Sequence, residues 1–155
     1  MTVPLFCFLL GCVDGMRSMT APAVVCWAAR LGCLHFAGTR LAFISHPATL
    51  IVITLLALAE LIADKVPNTP ARTVPPGLIA RIFFGAFCGI AVATSAGGSL
   101  LAAAVVGETG ALAGTFASYN IRHNLVIRKH LPDFAVALAE DFIAIVGGLL
   151  IVSHL

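Results

Sequence analysis

Long apolar runs dominate the chain, and its polar positions fall into a few short interruptions. The first run, Val3 to Val13, covers about 11 residues and about 17 Å, too short for a hydrocarbon core roughly 30 Å thick. It stops at Asp14-Gly15-Met16-Arg17-Ser18-Met19-Thr20, and Pro22 restarts a helical pattern to about Leu34, with Thr20 or Ala21 at its N-cap. Together the two pieces are too long for one straight span and too short for two. They predict a discontinuous span or a re-entrant hairpin. After a connection at Leu41 to His46, Pro47 opens a second span that reaches about Val66 and contains Glu60 and Asp64. The prolines of Pro67-Asn68-Thr69-Pro70-Ala71-Arg72-Thr73-Val74-Pro75-Pro76 remove backbone donors and fix φ, which predicts a stiff non-helical loop.

A third span covers about Gly77 to Ala96, with Arg81 near its start and Gly85-x-x-x-Gly89 in its middle; Gly97-Gly98 ends it. The next stretch repeats the first arrangement: a short run from Ser99 to Val106, an interruption at Gly107-Glu108-Thr109-Gly110, then a helical pattern to about Leu131. Pro132-Asp133 supplies a stop and a new N-cap, and the last span runs from Phe134 to about Val152 around Glu140-Asp141. The pattern predicts an all-α polytopic membrane helix bundle of about five spans, two of them broken or re-entrant, in a single integral membrane domain over residues 1–155.

Composition excludes the main alternatives. The chain is 60% apolar and 10% charged, with a mean hydropathy of +1.05, against roughly 45–50% apolar and about 25% charged for a soluble domain. A water-soluble globule and a disordered chain are both ruled out. The net charge of +2 with one Trp and one Tyr argues against nucleic-acid binding. Cys7, Cys12, Cys26, Cys33 and Cys88 are odd in number and form no CxxC, so they read as buried thiols; Cys33 with His35 is too small a set for a metal site. No metal and no cofactor is expected. The absence of Lys or Arg before the first apolar run argues against a cleavable signal peptide. Counting five spans, Lys65, Arg72, Arg81, Arg122, Arg128 and Lys129 share one side, and Arg30 and Arg40 lie opposite. The positive-inside rule then puts the N-terminus in the cytoplasm and the C-terminus outside.

Ala57-Leu58-Ala59-Glu60 recurs as Ala137-Leu138-Ala139-Glu140, and Gly15 and Thr20 are echoed at the same spacing by Gly110 and Thr115. Units 3–66 and 99–154, linked by span 77–96, would form an inverted repeat, the arrangement of many secondary transporters. Ala and Leu are the commonest letters of membrane helices, so coincidence is the competing explanation.

Ionisable groups at membrane depth cost roughly 2.5–3.5 kcal/mol each and normally face a bundle interior or a wet cavity. Here they are Asp14, Arg17, Glu60, Glu108, Glu140 and Asp141, with Asp64 and Arg81 nearer the ends. Arg17 can neutralise one acid through a bidentate pair, and Asp14, at i, i+3 from it, is a candidate. Ser18, Thr20 and the free N–H groups of the following helix form a cradle for an oxyanion or carboxylate. Glu60 and Glu140 are candidates for proton or cation exchange, with a protonated carboxyl bonded to a neighbouring helix as the structural alternative. Glu108 and Thr109 suit a small cation at the second break. Asp64 and Lys65 read as an interfacial cap pair, and Arg122, His123, Arg128, Lys129 and His130 as a solvated positive face or an anionic-lipid contact.

Gly15-Met16-Arg17-Ser18-Met19-Thr20-Ala21-Pro22, Ala59-Glu60 through Asp64-Lys65-Val66-Pro67-Asn68-Thr69-Pro70-Ala71-Arg72-Thr73, and Glu140-Asp141 resemble a family of small bacterial integral membrane proteins known as a domain of unknown function. The resemblance covers essentially the whole chain. It implies a multi-pass protein of the bacterial inner membrane and no particular activity, cofactor or substrate. The expectation is a small transporter or channel-like protein with a polar midplane site, proton- or cation-coupled, taking a small ion or small molecule. The alternative is a non-transporting assembly or accessory subunit whose buried charges lock helix packing. An enzyme is not expected, since HExxH, GxSxG and metal-ligand clusters are missing. Membrane lipid is the obvious partner; five spans bury a limited interior, and an exposed Gly85-x-x-x-Gly89 offers a helix-packing face, so a homodimer is expected.

Overall fold

Proline sets the start of most helices, because its fixed φ suits the first turn and its missing N–H is not needed there. The computed structural model describes residues 2–65 and 74–155. It contains α1 (Val3–Met16), α2 (Thr20–Leu31), α3 (Pro47–Ala63), α4 (Pro75–Ala96), α5 (Leu100–His123) and α6 (Asp133–Ser153), with a 3-10 turn at Ala42–Ser45 and a π turn at Asn124–Arg128. Among the described residues there is no strand. Three of the described helices, α4, α5 and α6, are long and apolar enough to cross a membrane. Their outer faces carry large exposed apolar side chains such as Phe83, Leu101 and Phe142. The expected non-helical loop lies outside the described residues except for its end, where Val74 caps α4 and Pro75-Pro76 already belong to it.

The centre of the bundle is a three-helix contact of α1, α4 and α5 made through glycine. A Cβ on Gly11 would overlap the Gly107 carbonyl oxygen, one on Gly107 the Gly85 carbonyl, and one on Gly89 the Ala103 carbonyl. Gly110 and Gly114 meet the Phe8 and Cys12 carbonyls in the same way. Backbones therefore touch, as small residues permit in helix pairs that lack a hydrophobic driving force. Two expectations change. The stretch Gly107–Gly110 is not an interruption, because α5 runs through it unbroken; its glycines serve contact with α1 and α4. Gly85-x-x-x-Gly89 is occupied inside the chain by α5, so it is not an exposed surface for a second copy.

The first break is present, and it is a re-entrant hairpin. Helix α1 runs parallel to α5 and antiparallel to α4, since Phe8 meets Gly110, Cys12 meets Gly114, and the Cys7 thiol reaches the Gly89 carbonyl at 3.6 Å. It stops near Ala111 and Thr115, the middle of α5. Helix α2 returns to the side from which α1 came: the His35 amide donates to Ser95 Oγ (2.8 Å) at the end of α4, beside the α4–α5 turn that α1 starts from. Helix α3 lies antiparallel to α2, with Trp27 donating to Thr54 Oγ1 (3.3 Å) at one end and Glu60 meeting Ser18 at the other. Both ends of the hairpin thus lie at one face of the bundle, and its tip sits inside.

Candidate functional site

Arg17 creates the tip. Its backbone is extended (φ −145°, ψ 107°), so its N–H still closes α1 on the Val13 carbonyl while the chain turns away, and Met19 caps α2. Its side chain is 0% exposed and bridges two helices: Nη1 pairs with Asp64 at the C-cap of α3, and Nη2 lies 2.6 Å from Asp141 on α6. Lys65 Nζ also donates to Asp141 (2.7 Å) and to the Leu61 carbonyl (2.8 Å). Asp64 and Lys65 therefore belong to the buried network and are not an isolated cap pair at the interface. The expected Asp14–Arg17 ion pair does not form, because the break carries Arg17 across to α3 and α6.

The cradle at the start of α2 exists, and the protein fills it with its own carboxylate. Ser18 donates to Glu60 Oε1 through its N–H (2.9 Å) and its Oγ–H (2.6 Å), and Met19 N–H donates to Oε2 (2.8 Å). A carboxylate on the unsatisfied N–H groups of a helix start gains charge-assisted hydrogen bonds and the favourable end of the helix dipole. Arg81, buried on α4, faces the same carboxylate at 3.9 Å. Thr20 is buried as the first residue of α2 and lines a groove of about 310 Å³ shared with Trp27, Thr54 and Ile145, whose walls are mainly apolar.

Depth follows from position along the long helices. Asp141 lies about 12 Å into α6 from Asp133, and Arg81 about 9 Å into α4 from Pro75, at 1.5 Å per residue. The charged tip therefore sits below the ends of the bundle on the side of Lys65 and Val74, while the other half of its thickness is closed by apolar side chains such as Leu10, Val25 and Val92.

Glu140 is separate from the tip. It is buried on α6, faces Arg122 at 3.5 Å, and borders a groove of about 340 Å³ between α1, α5 and α6. Arg122 holds Asp133 at the surface through two hydrogen bonds (2.9 and 2.8 Å) and reaches inward to Glu140, so it is not simply part of a solvated face. Glu108 is half-buried on α5 and makes no hydrogen bond or ion pair with the described residues, while Thr109 donates to its own helix at Val106 (2.8 Å). The cation site expected at a second break has no break to form it. Cys33 is exposed, and no metal-holding group of His, Cys, Asp or Glu occurs among the described residues.

Of the predicted site residues, the fold brings together Arg17, Ser18, Glu60, Asp64 and Asp141. Lys65 and Arg81 join them, although their positions near span ends marked them as peripheral. The one signal for them in the sequence was arithmetic, since buried acids outnumbered buried bases and compensation had to come from somewhere. A family model described as Domain of unknown function (DUF4126) matches residues 5–154. No curated protein and no solved structure matches the chain.

Proposed function

The chain belongs to this family of unknown function, and from that premise we propose that it is a small transporter or channel-like protein of the bacterial inner membrane, with its polar site at the hairpin tip. One observation carries the reading. A re-entrant helix start, the kind of place that binds anionic groups in transporters, is plugged at depth by the Glu60 carboxylate, which also faces the buried Arg81 guanidinium on α4. Such a plug is an internal stand-in for a ligand. Removing Glu60 from Ser18 and Met19 exposes the N–H groups, and an anionic group of a small solute is the chemistry that replaces it.

The hairpin also alters the expected topology. Because α1 and α2 reverse halfway, the N-terminus and the end of α6 lie on the same face, opposite Lys65, Arg81, Arg122, Arg128 and Lys129. With the positive-inside rule we infer both termini outside the cytoplasm, the reverse of the N-terminal assignment made by counting five spans.

The assembly-subunit reading draws support from the pairing of Arg17, Lys65 and Arg122 with specific acids. Proteoliposome flux of protons and small ions separates the two. Under the transport reading Glu60→Gln, which keeps shape and loses charge, changes flux; unchanged flux with the variant folded removes Glu60 from the pathway. Under the other reading it lowers stability alone. A homodimer remains part of the proposal, with a contact other than Gly85-x-x-x-Gly89.

A further inference from the structure

The ion pairs at the tip leave a fully buried acid unaccounted for. Asp14 lies one turn before the break and is 0% exposed. Neither of its carboxylate oxygens has a hydrogen-bond partner among the described residues. An ionised carboxylate in a dry interior needs donors or a counter-cation. The charged and titratable groups around it are Arg81 and Cys88 on α4 and Glu60 on α3, with Cys7 and Cys26 beyond Cys88. From α5, Thr115 is committed to carbonyls, at 2.8 Å from Ala111 and 3.2 Å from Gly15. On α6, Asp141 is engaged by Arg17 and Lys65.

Three occupants can neutralise Asp14. A metal ion needs several oxygen ligands, and the described residues offer no cluster to supply them; a neighbouring guanidinium would also repel it. Arg81 is a cation already at hand, yet it also faces Glu60 at 3.9 Å. A proton needs one oxygen and no space.

We propose that Asp14 is a proton-binding site built into the hairpin, and that it shares Arg81 with Glu60. Binding forms one O–H bond on the carboxylate with a proton taken from water, and release returns the proton to water. Protonated Asp14 leaves Arg81 to Glu60, whose carboxylate stays on Ser18 and Met19. Ionised Asp14 draws Arg81 to itself and weakens the plug. The site deepens the transport reading by naming the coupled ion, and it rests on that reading only for the use made of the proton.

The test uses the full chain in lipid bilayers. Infrared spectra are recorded across the pH range for wild type and Asp14→Asn, a neutral replacement of the same shape. The expected result is a carboxylic-acid carbonyl band in wild type at neutral pH that is missing from the variant. If the Asn variant fails to fold, carboxyl NMR of wild type with labelled aspartate gives the same answer: one of the four aspartates, Asp14, Asp64, Asp133 and Asp141, is protonated at neutral pH. All four ionised at neutral pH overturns the proposal, as does a band unaffected by Asp14→Asn. Proton flux in the same liposomes separates the two failures. A protonated Asp14 without any proton flux sinks proton coupling and leaves the site standing; proton flux with an ionised Asp14 does the reverse.

Discussion

Arg17 Nη2 lies 2.6 Å from Asp141 Oδ1, and this contact ties the hairpin tip to the last helix of the chain. The same guanidinium holds Asp64, so one residue from the first interruption joins three parts of the fold. Removing one partner of a buried ion pair leaves an uncompensated charge, which costs about 3–5 kcal/mol. Arg17→Gln is expected to lose stability of that order, measured by unfolding of the detergent-solubilised chain. Arg17→Lys is expected to recover only part of it, because an ammonium lacks the fork that reaches two acids at once.

A contrasting case lies at the surface. Asp133 takes two hydrogen bonds from Arg122, but its side chain is 57% exposed. Exposed pairs contribute about 0–1 kcal/mol. Asp133→Asn is expected to move stability by less than about 1 kcal/mol in the same unfolding measurement. An effect as large as that of Arg17→Gln would show that the pair does more than its exposure allows.

The plug offers two graded changes. Ser18→Ala removes one donor to Glu60 and leaves both backbone N–H groups satisfied, a loss of about 1 kcal/mol. Glu60→Ala strips the acceptor from all three donors and is expected to cost more. Hydrogen exchange of the Ser18 and Met19 amides reads this locally, slow in wild type, little changed in Ser18→Ala and fast in Glu60→Ala. Equal exchange in all three proteins would mean that the carboxylate does not protect the helix start.

Glycine positions divide sharply by what surrounds them. A Cβ on Gly107 would run into the Gly85 carbonyl, whereas one on Gly147 meets nothing within 4 Å. Gly107→Val is expected to prevent α4 and α5 from closing, with loss of the folded monomer in detergent. Gly147→Ala is expected to be neutral or to stabilise by up to about 1 kcal/mol, since alanine is the better helix former.

Cysteine chemistry reports orientation. Cys33 is exposed just beyond α2, while Cys7, Cys26 and Cys88 are buried. In intact cells a membrane-impermeant maleimide is expected to label Cys33 from outside, and Cys33→Ser is expected to abolish the signal. Labelling only after the membrane is opened would reverse the proposed orientation.

Much of this architecture was legible in the chain. Pro47 marks a real helix start, and the stretch around Arg17 to Thr20 marks a real break, whereas Pro75 and Pro76, read as loop, already belong to the first turn of α4. The cradle of Ser18 and its neighbouring N–H groups was visible because a helix start always leaves donors unsatisfied. What filled it was not, since Glu60 reaches it across about forty positions of chain, and periodicity carries no information about such pairings. Gly107 and Gly110 misled for a related reason. A glycine that lets another backbone approach has the same letter as one that ends a helix, and only the neighbour decides between them. Lys65 and Arg81 were assigned to span ends from local hydropathy, although burial depends on how far α3 and α4 sink relative to α6.

The glycine contact between α1 and α5 bears on biosynthesis. The ribosome makes the N-terminal helix first, yet the groove that receives its backbone is assembled from segments translated much later. Until those segments emerge, Arg17 and Asp14 lack the helices that bury them in the finished fold. Nascent chains halted before α5 should therefore leave this hairpin accessible to protease, and those released after it should not.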